Sequence, residues 1–200
     1  MLRTLILLSS VAIIVSGCAG ATTRFYTLEP APAGAVTYAG YAGAAYRVDA
    51  VHIPADLDRL ELVRPGPGGR FTVSDNDHWA APLGDLLQRT LTQDLAAEFP
   101  SGEIVFPQAP KPPGAGGIVV TILGLTYGDG SVAMDASWSV VAARPPVTTT
   151  APADSAVRQR TLRVTAPVSG GGVADDAAQL STLSAKLAVA IAADLNAPAQ

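Results

Sequence analysis

The stretch IVVTILGLTYGDGSVAMDASWSVVAA (118–143) has the clearest hairpin pattern in this chain of 200 residues. Gly128-Asp129-Gly130 separates two apolar runs with residues that favour a tight turn. After the turn, apolar residues alternate with small or polar ones: Val132, Met134, Ala136, Trp138 and Val140 are the apolar set. Such alternation indicates a strand with one buried and one solvated face, so the stretch predicts an antiparallel hairpin.

Two other segments have the period of an amphipathic helix. In APLGDLLQRTLTQDLAAEF (81–99), leucines recur every four residues, Pro82 suits the first turn and Pro100 ends the pattern. In ADDAAQLSTLSAKLAVAIAADLN (174–196), an apolar stripe follows two aspartates that suit the positive end of the helix dipole. Both segments predict helices of about 20 residues.

Shorter apolar runs bounded by proline, glycine or polar residues predict the remaining strands. They lie at 24–30, 46–54, 103–106 and 157–168, and 60–75 predicts a second hairpin with a longer loop. The order is strands, helix, strands, helix. We therefore predict the α+β class: a two-layer sandwich with a mostly antiparallel sheet and two long amphipathic helices on one face.

The N-terminal stretch LILLSSVAIIVSGCAG (5–20) contains the only cysteine of the chain. A basic start, an apolar run of 11 residues and a zone of small residues are typical of a secretory signal peptide, and the run is too short to span a bilayer. Val15-Ser16-Gly17-Cys18 resembles the bacterial lipobox, in which the cysteine is acylated and becomes the first mature residue. Ordinary cleavage after Ala19-Gly20-Ala21 is the alternative.

These features predict three regions. Residues 1–17 are a lipoprotein signal peptide, 18–24 an acylated tether and 25–200 a single periplasmic α+β domain. The covalent lipid on Cys18 anchors the protein to the bilayer, and no other cofactor is expected.

The charge of the chain is mildly acidic. The 13 basic and 17 acidic residues give a net charge of −4, which becomes −5 once Arg3 leaves with the signal peptide. The sequence has no basic stripe, which argues against binding to nucleic acid or to anionic lipid headgroups.

The sequence lacks the usual catalytic motifs, so we expect neither catalytic nor metal-binding residues. The chain has two histidines, His52 and His78. DNDH (75–78) offers three possible ligands, but Trp79 follows where a calcium loop would need an oxygen ligand. A polar turn leading into the first helix is the simpler interpretation. We predict that the protein is not an enzyme.

Two aromatic segments are open to two interpretations. Trp79 either anchors a partner or, as we favour, packs on the helix that follows it. RFYTLEP (24–30) is either an edge strand that pairs with a partner or a segment that completes the core. On the first interpretation Phe25, Tyr26 and Leu28 are candidate partner-binding residues.

The lipobox, FYTLEP, VDAVHIPADLDRLELVRP and WAAPLGDLLQRTLTQDL together resemble the PqiC-like auxiliary lipoproteins of MCE-type ABC transporters, over about residues 18–143. In that family the matching Pro54, Arg59, Arg64 and Trp79 are features of the fold and not a catalytic set. The chain departs from the pattern at Ala81, where an acidic residue is common, and in its polar 144–156 loop.

The resemblance implies a non-enzymatic accessory subunit that works with an MCE-domain protein and its inner-membrane transporter to move lipids across the envelope. Ala19 after Cys18 favours attachment to the outer membrane over the inner membrane. The alternatives are a lipoprotein that itself carries a small hydrophobic ligand and an assembly or structural protein of the envelope. A large apolar pocket between helices and sheet would favour the carrier, and a packed core would favour partner binding.

Overall fold

The computed structural model describes residues 22–32, 34–141, 157–168, 170 and 172–197. Cys18 and the 144–156 loop lie outside the described residues. The strands are β1 (Arg24–Tyr26), β2 (Tyr46–His52), β3 (Glu61–Pro65), β4 (Phe71–Trp79), β5 (Ile104–Val105), β6 (Gly116–Gly128), β7 (Ser131–Val141) and β8 (Val157–Pro167). The helices are α1 (Leu83–Glu98) and α2 (Val173–Asn196). Neither helix has the length and apolar character needed to cross a bilayer.

A five-stranded sheet, in the order β5-β2-β6-β7-β8, carries both helices on one face. The two longest ladders, β6 with β7 and β7 with β8, are antiparallel, whereas β2 pairs in parallel with β5 and β6. Between β2 and β6 the chain forms a hairpin and α1, and a crossover of that length permits parallel pairing. The α+β class and the helical layer are confirmed, with more parallel pairing than the sequence pattern indicated.

The β6–β7 hairpin turns at Asp129 and Gly130, both with positive φ (50° and 68°). Positive φ at both central residues is the geometry of a two-residue type I′ turn, which matches the twist of the flanking strands. The predicted turn at 128–130 is confirmed. On the open face of β7, however, Ala133 and Ser137 are buried. β7 lies between two long strands, so small side chains there are covered by neighbours such as Gln159, which donates to the Ser137 hydroxyl.

A second, three-stranded sheet has the order β1-β4-β3, with β1 parallel to β4. The sequence predicted the β3–β4 hairpin but gave no sign of this separate sheet. It also indicated a polar turn at 75–78, where β4 in fact continues to Trp79. The strand is irregular there: Glu61 lies opposite His78 while Val63 lies opposite Val73, so β4 bulges between these pairs.

One hydrophobic core lies between the five-stranded sheet and the helices and reaches the smaller sheet through Leu62 and Trp79. Ile118, Met134 and Leu183 are fully buried in it. These side chains fill the layer between sheet and helices.

Candidate partner-binding site

The segment after β1 is tied to both helices by hydrogen bonds. The Thr27 hydroxyl accepts from the Arg89 guanidinium of α1 at 2.8 Å, and the Glu29 N–H donates to Ser181 Oγ of α2 at 3.1 Å. The Ala31 N–H donates to Asp94 Oδ1 of α1 at 2.8 Å. Leu28, only 2% exposed, anchors the same segment in the core.

The three predicted partner-binding residues have different environments. Leu28 is buried, Tyr26 is half-buried and Phe25 is 68% exposed. The Phe25 ring lies 5.9 Å from the ring of His78 on β4. Phe25 is therefore the member of the set available to a partner, while Leu28 serves the domain's own core.

A groove of about 710 Å³ opens between this N-terminal segment and α2. One wall is formed by residues of the segment from Phe25 to Pro32. The other wall is the face of α2 that carries Ala174, Ala177, Ala178, Ser181, Thr182 and Ala185. Because every side chain on this helical wall is small, an incoming chain can approach the helix closely.

β1 presents a free backbone edge within the described residues, since its ladder is with β4 alone. The Tyr26 carbonyl accepts from the Ala80 N–H at 2.7 Å, so Tyr26 directs its backbone groups towards β4. In a strand, the neighbouring residues direct theirs to the opposite side. The backbone groups of Phe25 therefore point away from β4, and a further strand can pair there.

An ion pair fixes the start of β1. The Arg24 Nε donates to Asp77 Oδ1 at 2.7 Å, and the Ser74 hydroxyl donates to the other carboxylate oxygen at 2.6 Å. Both bonds lower the pKa of Asp77 below its usual range, and the bond from Arg24 has the larger effect. Asp77 is 4% exposed and lies at the bulge of β4, so the bulge turns a carboxylate towards β1.

Asp94 is a buried carboxylate between the two helices. It accepts from the Ala31 N–H and from the Ser184 hydroxyl of α2, the latter at 3.0 Å. Burial raises the pKa of Asp94, the nearby Glu98 adds to the rise, and the two hydrogen bonds oppose it. Asp94 thus joins the groove's N-terminal wall to both helices.

Arg64 joins the smaller sheet to α2. Its Nη2 donates to Asp176 Oδ1 at 2.7 Å and its Nε donates to Asp176 Oδ2 at 3.2 Å. The guanidinium also lies 5.5 Å from the centre of the Tyr127 ring of β6. The hydrogen bonds to Asp176 raise the pKa of Arg64, and burial raises the pKa of Tyr127.

The other residues of the sequence resemblance lie apart from the groove. Trp79 is 4% exposed and packs in the core. The Pro54 carbonyl accepts from the N–H groups of Leu57 and Asp58, which closes a turn. Arg59 forms an exposed ion pair with Glu61, with the closest N and O atoms 3.4 Å apart.

The histidines lie in different sheets. His52 ends β2 and lines a polar surface cavity with Asp58 and Asp85, while His78 lies beside Phe25 in the smaller sheet. In the part of the chain that the structure describes, no three histidine, cysteine, aspartate or glutamate side chains cluster as a metal site would require.

Sequence reasoning did not identify Asp94, and it assigned Asp176 to the helix dipole alone. Both residues follow the spacing of the leucines in their helices, three or four positions from Leu91 and Leu180. A carboxylate on an apolar stripe is buried and needs a partner. An aspartate at the leucine spacing of a helix was therefore the sequence signal that could have identified both residues.

The fold is a small α+β domain with an open groove between its N-terminal segment and α2. Residues 26–192 match the model of the ABC-type transport auxiliary lipoprotein component family. The chain belongs to this family. No curated protein matches it.

Two solved structures share the fold. One, described only as the crystal structure of an uncharacterized protein, has a TM-score of 0.68 at 17% identity and covers 88% of this chain and 100% of its own. The other, XCC0632 from Xanthomonas campestris, of family DUF330, has a TM-score of 0.54 at 16% identity and covers 85% and 92%. At these identities the similarity concerns the fold.

Proposed function

We propose that this protein is a non-enzymatic accessory subunit of an MCE-type ABC lipid transport system, held in the periplasm by an acyl anchor on Cys18. Family membership supports the transport role. The lipobox supports the anchor, with residues 1–17 removed and 18–24 as the tether, whose last residue, Arg24, also begins β1. Ala19 favours the outer membrane. The partners are an MCE-domain protein and its inner-membrane transporter.

The observation that carries the proposal is the free edge of β1 beside the groove. An extended segment of the MCE protein adds to β1, where the backbone groups of Phe25 point away from β4. Its side chains pack against Phe25 on one side and the small residues of α2 on the other. Because the tether keeps the domain near its partner, a contact of modest affinity is sufficient.

A second candidate is a carrier that holds a small hydrophobic ligand in the same groove, whose volume lies within the range of ligand sites. The packed layer between helices and sheet favours partner binding, because a carrier would need an enclosed apolar pocket there. The groove is open along its length and would leave a bound ligand partly in water.

Co-purification tests the proposal. The full acylated chain, extracted from cells that contain the MCE protein, is expected to retain that protein, and Phe25→Asp is expected to reduce the retained amount at least tenfold. Val189→Asp is the matched control, because Val189 is 52% exposed and lies on α2 outside the groove. Equal retention by the parent and the Phe25 variant would contradict docking at β1.

A separate measurement tests the anchor. The intact mass of the protein should include the acyl groups, and Cys18→Ala should abolish them. A mature protein that begins at Thr22 without lipid would contradict the proposed anchor.

A further inference from the structure

The β3–β4 hairpin ends in an exposed turn that is followed by exposed apolar side chains. Phe71 is 45% exposed and Val73 39% exposed, and residues 66–70 of the turn are all exposed. From Leu62 to Ser74 the sequence has no acidic residue, in a chain whose net charge is −4. The hairpin end is therefore apolar with basic residues, on an acidic protein.

The turn is held in a defined direction. Arg64, at the base of the hairpin, is committed to Asp176 at the start of α2, which leaves Arg70 as the exposed cation of the turn. Gly68 and Gly69 have positive φ (70° and 73°), a conformation that glycine adopts without strain.

The parallel pairing of β1 with β4 relates the turn to the N-terminus. Arg24 lies opposite Asp77 and Phe25 opposite His78, so the chain that enters β1 comes from the side on which β4 begins, which is the side of the turn. Glu61 lies opposite His78, and Pro65 lies opposite Phe71. Along β3, Glu61 and Pro65 are four positions apart, which is about 13 Å. Phe25 and Phe71 are therefore separated by about that distance along the strand direction.

The acyl anchor predicted at Cys18 can reach as far along the domain as the β3–β4 turn. Cys18 precedes Phe25 by seven residues, which span at most about 25 Å when extended. That reach exceeds the distance from Phe25 to the row of Phe71 and extends to the turn itself. An acyl anchor at Cys18 and the exposed Phe71 can therefore meet the same bilayer surface.

The geometry points to a second contact with the membrane: the β3–β4 turn, with Phe71 and Val73 as its apolar residues, inserts into the interface of the lipid bilayer to which Cys18 is anchored. This inference rests on the proposed acyl anchor. The anchor attaches the domain to the membrane, and the turn fixes its orientation. A single flexible tether lets the domain rotate relative to the membrane, whereas two points of contact restrict that rotation. Arg70 lies at the level of the lipid phosphates.

A fluorescent probe at the turn tests the contact. The full acylated chain with Thr72→Cys is labelled with an environment-sensitive dye and reconstituted into vesicles of phosphatidylethanolamine and phosphatidylglycerol. Thr72 is exposed beside Phe71. The matched control is Val189→Cys, an exposed position 13 residues beyond Asp176 on α2 and about 20 Å from it along the helix.

We expect the emission of the probe at position 72 to shift to the blue and to be quenched severalfold more by brominated lipid than the probe at 189. Adding Phe71→Asp should remove the difference without changing the melting temperature. The inference is overturned if the two probes respond alike in protein whose mass includes the acyl groups. The same mass measurement identifies failure of the anchor separately, since an unacylated chain contradicts the proposed anchor itself.

Discussion

The Arg64 guanidinium and the Asp176 carboxylate join the smaller sheet to the first turn of α2, with closest N–O distances of 2.7 and 2.8 Å. Asp176 is about nine-tenths buried, whereas Arg64 keeps about a third of its side chain exposed. The pair therefore fixes the β3–β4 hairpin relative to the helix that forms one wall of the groove.

Arg64→Ala should lower the free energy of unfolding by about 2 kcal/mol, because it leaves the Asp176 carboxylate buried without its partner. In a chain of this length that corresponds to a fall in melting temperature of about 4–8 °C. Thermal denaturation followed by circular dichroism measures it. Arg59→Ala is the control: its pair with Glu61 is exposed and screened by solvent, so its loss should lower the melting temperature much less. Equal effects of the two substitutions would contradict the role given to Arg64.

Asp77→Asn should destabilise the protein at pH 7, and the effect should decrease progressively as the pH falls below about 4. Hydrogen bonds from Arg24 and Ser74 hold the pKa of Asp77 below its usual range, so the charged form is favoured in the native state. That contribution is present above about pH 4, the ordinary pKa of aspartate, and is lost as the pH falls through the lower native value. Melting temperatures across this range test it, with the exposed Asp75→Asn as control. If the difference in melting temperature between the parent and Asp77→Asn does not change with pH, the lowered pKa of Asp77 is contradicted.

Asp94→Asn should be at least as stable as the parent at pH 7.5. Burial raises the pKa of Asp94, so the native state retains a proton where the unfolded chain has lost it, and this contribution declines as the pH rises from about 4 through the native pKa. An asparagine carries no charge at this buried site and can still accept from Ala31 and donate to Ser184. The gain should be within about 1 kcal/mol and should shrink towards pH 4.

Urea denaturation at several pH values measures the effect, and Asp85→Asn, exposed on the same helix, is the control. A loss of more than about 2 kcal/mol at pH 7.5 would show that the charge on Asp94 is needed by its partners.

The sequence pattern predicted the long elements because their periodicity is local. The leucine stripe of α1 and the apolar face of β7 are both buried as their patterns require, although Ala133 and Ser137 on the other face of β7 are buried as well. The pairing of β1 with β4 brings Phe25 beside His78, 53 residues further along the chain, and no local period encodes such a contact.

The candidate site was only partly predictable from the sequence, because one of its walls follows a local pattern and the other depends on contacts between distant segments. RFYTLEP was correctly predicted to form a short strand, since aromatic residues bounded by proline are a local signal, but the strand ends at Tyr26 and does not continue to Pro30. The groove depends on the packing of this strand's continuation against α2, through Glu29 with Ser181 and Ala31 with Asp94. Those contacts join segments more than 60 residues apart, so the sequence alone did not define the second wall.

Site-specific crosslinking in living cells tests whether the MCE protein docks along β1 and the groove. A photoreactive phenylalanine analogue is placed at Phe25, at Ala178 on the opposite wall of the groove, or at Val189 as the control, in the full acylated chain in cells that contain the MCE protein. We expect adducts with the MCE protein from positions 25 and 178 and none from 189. Docking in the groove is contradicted if neither groove position forms an adduct while the chain is acylated and present at its normal level.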